Sequence, residues 1–326
     1  MSATLTDNFA RQFSYLRLSI TEVCNFRCNY CLPDGNDCTD RSGELRVDEI
    51  ARLAKGFAEL GTRKIRITGG EPSLRTDLCD IIRVCKNTPG IETVSLTTNG
   101  YRLDKDVLRW RDAGLDTLNV SLDSLDPLQF QLITGSKKFD NILRGLALAE
   151  NAGFQQLKIN SVLMREHNAN ELHRFTDFVK DRPITLRFIE LMQTGKSADF
   201  FARQHVRAQD IKQQLLQQGW LPVIRPEHAG PAQEFMHPQY QGGIGLIMPY
   251  SKNFCDDCNR LRVSSQGDLF LCLFAEAHQS LRNALQDDNT EALKHRLTHL
   301  IQQKKQTHGL HEYNPGKTRH LAMIGG

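Results

Sequence analysis

Tyr15-Leu16-Arg17-Leu18-Ser19-Ile20, followed closely by Cys24-Asn25-Phe26-Arg27-Cys28-Asn29-Tyr30-Cys31, places three thiols in a C-x3-C-x2-C spacing just beyond an alternating segment. Arg17 and Ser19 alternate with Leu16, Leu18 and Ile20, the period of a half-buried strand. The thiols therefore fall at a strand's carboxyl end, where parallel α/β architectures keep their active sites.

Outward from this stretch the same unit recurs. A helix opens at Val47, repeats Ile50, Leu53, Ala54, Phe57 and Leu60 at helical spacing, and stops at Gly61. A strand over 64–68 then runs into Gly69-Gly70-Glu71-Pro72. Further strands are predicted over 93–97, 117–122, 157–162 and 185–190, with helices over 77–84, 107–111, around Ile142 to Ala149, and over 172–179 between them. Six strands alternating with helices require right-handed crossovers and a parallel sheet. Six is fewer than the eight of a closed barrel. The expected fold is an α/β, partial, open (β/α)6 TIM-like barrel whose open side needs a cover.

After a helical pattern over 208–218 the composition shifts, with Pro222, Pro226, Gly230, Pro231 and Pro238 in a short span. The chain divides there into a barrel, 1–221, and an α+β region, 222–326, that covers the open side. In the latter, 245–248, 261–263 and 269–271 read as short antiparallel strands, followed by helices around Leu281 and over 291–303.

A chain of 326 residues with 40% hydrophobic and 24% charged residues has an ordinary globular balance. A net charge of +3 is too mild to imply a nucleic-acid partner. No stretch approaches the roughly 20 apolar residues of a membrane helix, and the start has no signal core, so a cytoplasmic protein is expected. Nine cysteines in a reducing compartment read as metal ligands or small buried hydrophobes. Cys79 and Cys85 sit in a helical apolar pattern and, with Cys38, are assigned no chemistry.

Three clustered thiolates can hold zinc or iron. A structural zinc site wants a fourth ligand, for which Cys38 is the nearby candidate, whereas a cubane cluster held by three cysteines leaves one iron open to substrate. A second set, Cys255-Asp256-Asp257-Cys258 with Cys272, has the spacing C-x2-C-x13-C. Here His278 is the candidate fourth zinc ligand, and an open cluster is the alternative.

The first loop, with Tyr30 directly before its last cysteine, resembles the cluster loop of the radical S-adenosylmethionine (SAM) enzymes, and Gly69-Gly70-Glu71-Pro72 resembles their motif for the amino group of SAM. Together with Cys258-Asn259-Arg260-Leu261-Arg262, Cys272 and a final Gly325-Gly326, the resemblance narrows to the GTP-cyclising enzymes of molybdenum cofactor biosynthesis. It covers essentially the whole chain. It implies two [4Fe-4S] clusters, on Cys24, Cys28 and Cys31 and on Cys255, Cys258 and Cys272, and SAM held by Tyr30, Gly70, Glu71, Ser121 and Met192. It implies GTP held by Arg17, Arg66, Thr97, Lys158, Arg260 and Arg262, and a Gly325-Gly326 tail reaching the active site.

The implied reaction is removal of the ribose 3′ hydrogen by a 5′-deoxyadenosyl radical and closure onto guanine carbon 8, giving 3′,8-cyclo-7,8-dihydro-GTP. Cyclic pyranopterin monophosphate synthase then consumes the product, a donor such as flavodoxin or ferredoxin supplies the electron, and the protein is a monomer or homodimer. Two rivals stand beside it. A peptide-modifying radical SAM enzyme would typically carry more C-terminal cysteines. A non-catalytic zinc protein leaves Gly69-Gly70-Glu71-Pro72 unexplained.

Overall fold

The computed structural model describes residues 4–35, 41–193, 198–224, 229–275, 278–312, 314, 316 and 321–325. Cys38 and Gly326 lie outside the described residues. The six expected parallel strands form: β1 (Tyr15–Ser19), β2 (Lys64–Thr68), β3 (Thr93–Thr98), β4 (Thr117–Ser121), β5 (Gln156–Leu163) and β6 (Ile184–Glu190). Their outward faces carry Leu16, Leu18, Ile65, Ile67, Val94, Leu96, Leu118, Val120, Ile159, Leu186 and Phe188, each at most 1% exposed. The helices α1 (Val47–Glu59), α2 (Leu78–Lys86), α3 (Leu103–Asp112), α4 (Pro127–Thr134), α5 (Phe139–Asn151) and α6 (Leu172–Lys180) surround the sheet, and the main core fills the space between. The opposite face, turned inward, is polar and charged.

Helix ends follow local chemistry. The α1 start is fixed by Glu49, whose carboxylate accepts from Arg46 N at 2.9 Å. The sequence pattern did not reveal α4, although Asp126 caps Gln129 N at 2.9 Å, Pro127 fills the first turn and Gly135 ends it at φ +68°. Its buried stripe of Phe130, Ile133 and Thr134 is masked in the sequence because Leu128 and Leu132 put apolar residues on the exposed face as well. Helices α7 (Ala198–Gln204) and α8 (Ala208–Gln217) lead out of the barrel.

The remaining strands are β7 (Leu221–Pro222), β8 (Gln233–Met236), β9 (Gly243–Ile247), β10 (Arg260–Val263), β11 (Asp268–Phe270) and β12 (Gln279–Ser280), and α9 (Glu291–Ile301) follows. Among the described residues all twelve strands make one sheet in the order β12-β11-β10-β1-β2-β3-β4-β5-β6-β9-β8-β7. This corrects the expectation of purely antiparallel strands beyond residue 222. The β10–β11 and β8–β9 pairs are antiparallel, but β10 lies parallel to β1 and β9 parallel to β6. The reason is edge pairing: a six-stranded open barrel leaves two rows of unpaired N–H and C=O groups, and the returning chain satisfies both. Eight parallel strands therefore stand in succession, and the strand order does not close into a ring. Among the described residues no helix is long and apolar enough to cross a membrane.

Candidate active site

The first thiol loop is clamped from two sides. Arg27 N and Asn29 N donate to Thr134 O and Ile133 O at the end of α4, at 2.9 and 3.0 Å. From the other side Gly70 N and Glu71 N donate to Thr21 O and Val23 O, both at 2.8 Å. Gly69, at φ +148°, and Gly70 permit this approach, since a Cβ on Gly69 would lie 2.4 Å from Thr21 O and one on Gly70 2.3 Å from Val23 O. The Glu71 carboxylate is fully buried and accepts from Ser73 N, the Thr98 hydroxyl and Asn99 N at 2.9, 2.7 and 2.6 Å. Its side chain thus ties the glycine turn to the end of β3. Asn99 in turn directs its amide toward Cys24 Sγ at 3.9 Å.

Tyr30 donates from its hydroxyl to Asp123 Oδ2 at 2.9 Å, and Asp123 Oδ1 accepts from Val162 N at 2.8 Å. Burial raises Asp123 to about 6. Ser121 is half-buried at the carboxyl end of β4, in the same mouth.

The second set begins on the turn after β9, where Cys258 N donates to Cys255 O at 3.1 Å. Arg11, paired with Asp7 at 2.7 Å, donates to Cys255 O at 3.0 Å and fastens this turn to the start of the chain. Burial raises the Cys258 thiol, but Arg260, Lys304 and Arg262 outweigh it and bring it down to about 7. Lys304 is buried and donates to Leu271 O, beside Cys272. His278 stacks on Phe270 and faces Asp268 at 3.9 Å with half its side chain exposed, so its neighbours here are not the thiols.

Between the thiol sets the barrel interior is lined with cations. Two rows cross three strands: Lys64, Tyr15 and Arg260 stand opposite one another, and so do Arg66, Arg17 and Arg262. Arg187 on β6 and Lys158 on β5 face the same cavity system. Gly245 makes room for Arg187, because a Cβ there would lie 2.7 Å from its Cγ, and Arg187 is aimed by Asn119 Oδ1 at 2.6 Å and Asn160 Oδ1 at 3.1 Å. Burial and Arg187 lower Lys158 to about 8, and burial and Arg66 lower Arg187 to about 10. Burial pushes the Tyr15 phenol up, yet Arg66, Arg17, Lys64 and Arg260 together bring it down to about 7. The buried Nε atoms of Arg66 and Arg262 have no hydrogen-bond partner. Positive charge this crowded and incompletely satisfied is a site for a polyanion.

The chain's end connects the two sets. Ile324 is fully buried with Phe270, Leu273 and Phe274, and Leu321 and Met323 pack on the same cluster beside Cys272 and Met192. Ala322 and Leu321 direct backbone N–H groups at Cys31 Sγ. Gly325, at φ +64°, lies against the end of β2, where a Cβ would be 2.0 Å from Thr68 Cγ2.

The structure thus gathers Arg17, Arg66, Lys158, Arg260 and Arg262 around one cavity system, with Met192 on its wall. Thr97 joins through its hydroxyl, which accepts from Arg66 Nη1 at 3.3 Å. Sequence reasoning did not single out Tyr15, Lys64, Arg187 or Lys304. Tyr15 and Lys64 share inward parity with the chosen Arg17 and Arg66 on β1 and β2, which was the available signal, whereas no residue on β6 pointed to Arg187.

The donor sets fit iron–sulfur clusters. Burial raises Cys24 to about 11 and Cys31 to about 12, so thiolates there require positive charge from the bound group, and N–H groups already point at the sulfurs. Among the described residues no group of three His, Cys, Asp or Glu closes on the position of a single metal ion.

The Radical SAM superfamily profile matches residues 18–179, and that for Molybdenum Cofactor Synthesis C matches residues 184–310. A GTP 3′,8-cyclase of Pectobacterium atrosepticum is 56% identical over 329 residues, covering 100% of both chains. The crystal structure of Streptococcus suis SuiB bound to S-adenosylmethionine is similar in fold, with a TM-score of 0.61 and 14% identity over 90% of this chain and 68% of that one. A second SuiB crystal structure gives a TM-score of 0.55 at 14% identity, over 88% and 69% of the two chains. With the geometry of two thiol triads about a cationic barrel, these matches establish that the chain belongs to the GTP 3′,8-cyclase family of the radical SAM superfamily.

Proposed function

We propose that the protein binds GTP between its two thiol triads and closes the ribose 3′ carbon onto guanine carbon 8, the first committed step toward molybdenum cofactor. The observation that carries this reading is the buried, undercompensated cation cluster inside the barrel, of the charge and reach that a triphosphate demands. Cys24, Cys28 and Cys31 would hold one [4Fe-4S] cluster and Cys255, Cys258 and Cys272 the other. Bound with SAM and reduced by one electron from the donor, the first cluster would supply a 5′-deoxyadenosyl radical able to take the 3′ hydrogen as 5′-deoxyadenosine.

The chain's own residues position the partners. Arg17, Arg66 and Lys158, with Lys64 and Arg187, hold the phosphates, and Thr97 is steered by Arg66. Arg260 and Arg262 follow the second thiol pair and orient the nucleotide against it. Gly70, Ser121, Met192 and Tyr30 shape the SAM site, and Glu71 acts by holding the glycine turn. The tail around Gly325 seals the space between the two sites and excludes water.

The reading further places residues 1–221 as the radical-generating barrel and 222–326 as the region completing the substrate site. It places the enzyme in the cytoplasm as a monomer or homodimer, with a flavodoxin or ferredoxin as electron donor and cyclic pyranopterin monophosphate synthase as consumer of the product.

The test is anaerobic reconstitution with iron and sulfide, then SAM, reductant and GTP, with ATP as control. The expected result is 5′-deoxyadenosine together with a cyclised guanosine triphosphate. Arg262→Ala should keep full iron content and weaken GTP binding about 10- to 100-fold, the scale of a lost charge-assisted contact. Undiminished cyclisation by Arg262→Ala at limiting GTP would refute its role.

A further inference from the structure

At the amino-terminal end of the barrel interior the described residues place one carboxylate among the cations. Lys64, Arg66, Lys158 and Arg187 line a cavity there together with Glu234 of β8. Among the described residues, every other charged side chain lining this cavity is cationic. Glu234 stands opposite Gly245, which stands opposite Arg187, and the Arg187 side chain takes the space left at Gly245. Across it, Glu234 Oε1 accepts from Lys158 Nζ at 3.0 Å. Lys158 is 13% exposed and Glu234 35% exposed, so the pair is partly screened and can be exchanged.

A carboxylate inside an anion site opposes the ligand unless it has a task of its own. Its charge repels phosphate and its partner Lys158 is already neutralised. The second effect ends when a dianionic oxygen group reaches Lys158 and takes its proton donors, while the repulsion remains as a cost of binding. The position of Lys158 makes this conditional on reach: Arg262, which lines the cavity beside the second thiol set, has a buried Nε with no hydrogen-bond partner and needs no such release.

Resting on the reading that GTP lies with its phosphates on these cations, we propose that Glu234 is an internal placeholder for the terminal phosphate. It holds Lys158 in the empty enzyme and yields it only to a phosphate chain long enough to arrive there. Glu234 thereby sets how strongly the site binds triphosphates and keeps the product, which carries the same triphosphate, from binding too tightly. No group other than the chain's own side chains takes part.

The test uses the enzyme reconstituted with both clusters, without SAM, and measures dissociation constants for GTP, GDP and guanosine by equilibrium dialysis. Glu234→Gln should tighten GTP at least fivefold and leave guanosine unchanged, with GDP in between. In a Lys158→Met background the same substitution should tighten GTP by a smaller factor, because only the direct repulsion of phosphate remains, a dependence that a merely structural role would not produce. Iron content and thermal midpoint verify that each variant is folded. An unchanged or weaker GTP affinity in Glu234→Gln overturns the placeholder, as does an equal gain in the Lys158→Met background. If Lys158→Met itself binds GTP like the wild type, the phosphate placement has failed instead.

Discussion

Replacing Gly325 by alanine should separate the closing of the site from the stability of the fold. Two penalties act at this residue. At φ +64° an L-residue with a Cβ occupies the left-handed region at about 1–2 kcal/mol. The new Cβ would also stand 2.0 Å from Thr68 Cγ2 and 2.5 Å from its Oγ1, on a strand residue only 2% exposed that cannot retreat. Against this, docking of the tail gains chiefly the burial of Ile324, about 2–3 kcal/mol. An overlap that deep exceeds the gain, so the tail leaves its groove while the barrel persists. The thermal midpoint should fall by about 4–12 °C, from a loss of about 2–3 kcal/mol at roughly 2–4 °C per kcal/mol.

Cyclised product should fall by about a hundredfold, whereas 5′-deoxyadenosine formed by reductive SAM cleavage persists. The assay is quantitation of both nucleosides from one anaerobic reaction. Thr68→Ala added to Gly325→Ala removes the two closest atoms and should restore part of the product. Product within twofold of wild type in the single variant would refute the reasoning, because the tail would then tolerate what its packing forbids.

The glycine at the other end of the cavity gives a parallel expectation. Gly245→Ala should displace Arg187, weaken GTP about five- to tenfold and destabilise the fold by roughly 1–3 kcal/mol, while Gly230→Ala, with nothing within 4 Å, changes neither. Titration calorimetry and thermal melts decide it, and equal affinity in Gly245→Ala counts against the role of Arg187.

The dependence on pH has a definite sign. Lys158, lowered to about 8 in the empty site, must be protonated to hold phosphate, and bound polyanion raises it. Affinity is therefore full below pH 8 and declines as pH rises toward the raised value, by at most tenfold per pH unit for this group. Tyr15, at about 7, adds negative charge over the same direction of change. GTP dissociation constants measured between pH 7 and 10 that stay flat would contradict the proposed contact.

Much of this was legible along the chain because the signals are local. Alternation at Tyr15–Ser19 and the helical stripe at Val47–Glu59 each report one element facing one core, and the structure places both as read. Arg17 and Arg66 were legible as cations on polar strand faces, but the direction of those faces depends on curvature of the whole sheet. Arg187 shows the limit: alone on its strand it looks like a solvated residue, and only Asn119, Asn160 and Gly245, from three other strands, define it. The parallel partners of β1 and β6 were illegible for a similar reason, since pairing at a sheet edge depends on which edge is vacant rather than on the joining strand's own sequence. Glu71 was read as a cofactor contact, and no pattern in Gly-Gly-Glu-Pro could show that its carboxylate would be taken up by Thr98 and Asn99.

The pairing of β10 with β1 has a consequence for how the protein comes into being. Tyr15 and Arg260 are neighbours in the sheet yet about 245 residues apart in the chain. At synthesis rates of about 5–20 residues per second, β1 waits tens of seconds for its partner. Through that interval the nascent barrel carries two bare edges, the situation in which strands pair with the wrong neighbour. Folding catalysts that shield those edges, or slower growth temperatures, should therefore raise the yield of active enzyme more than any substitution that strengthens its finished core.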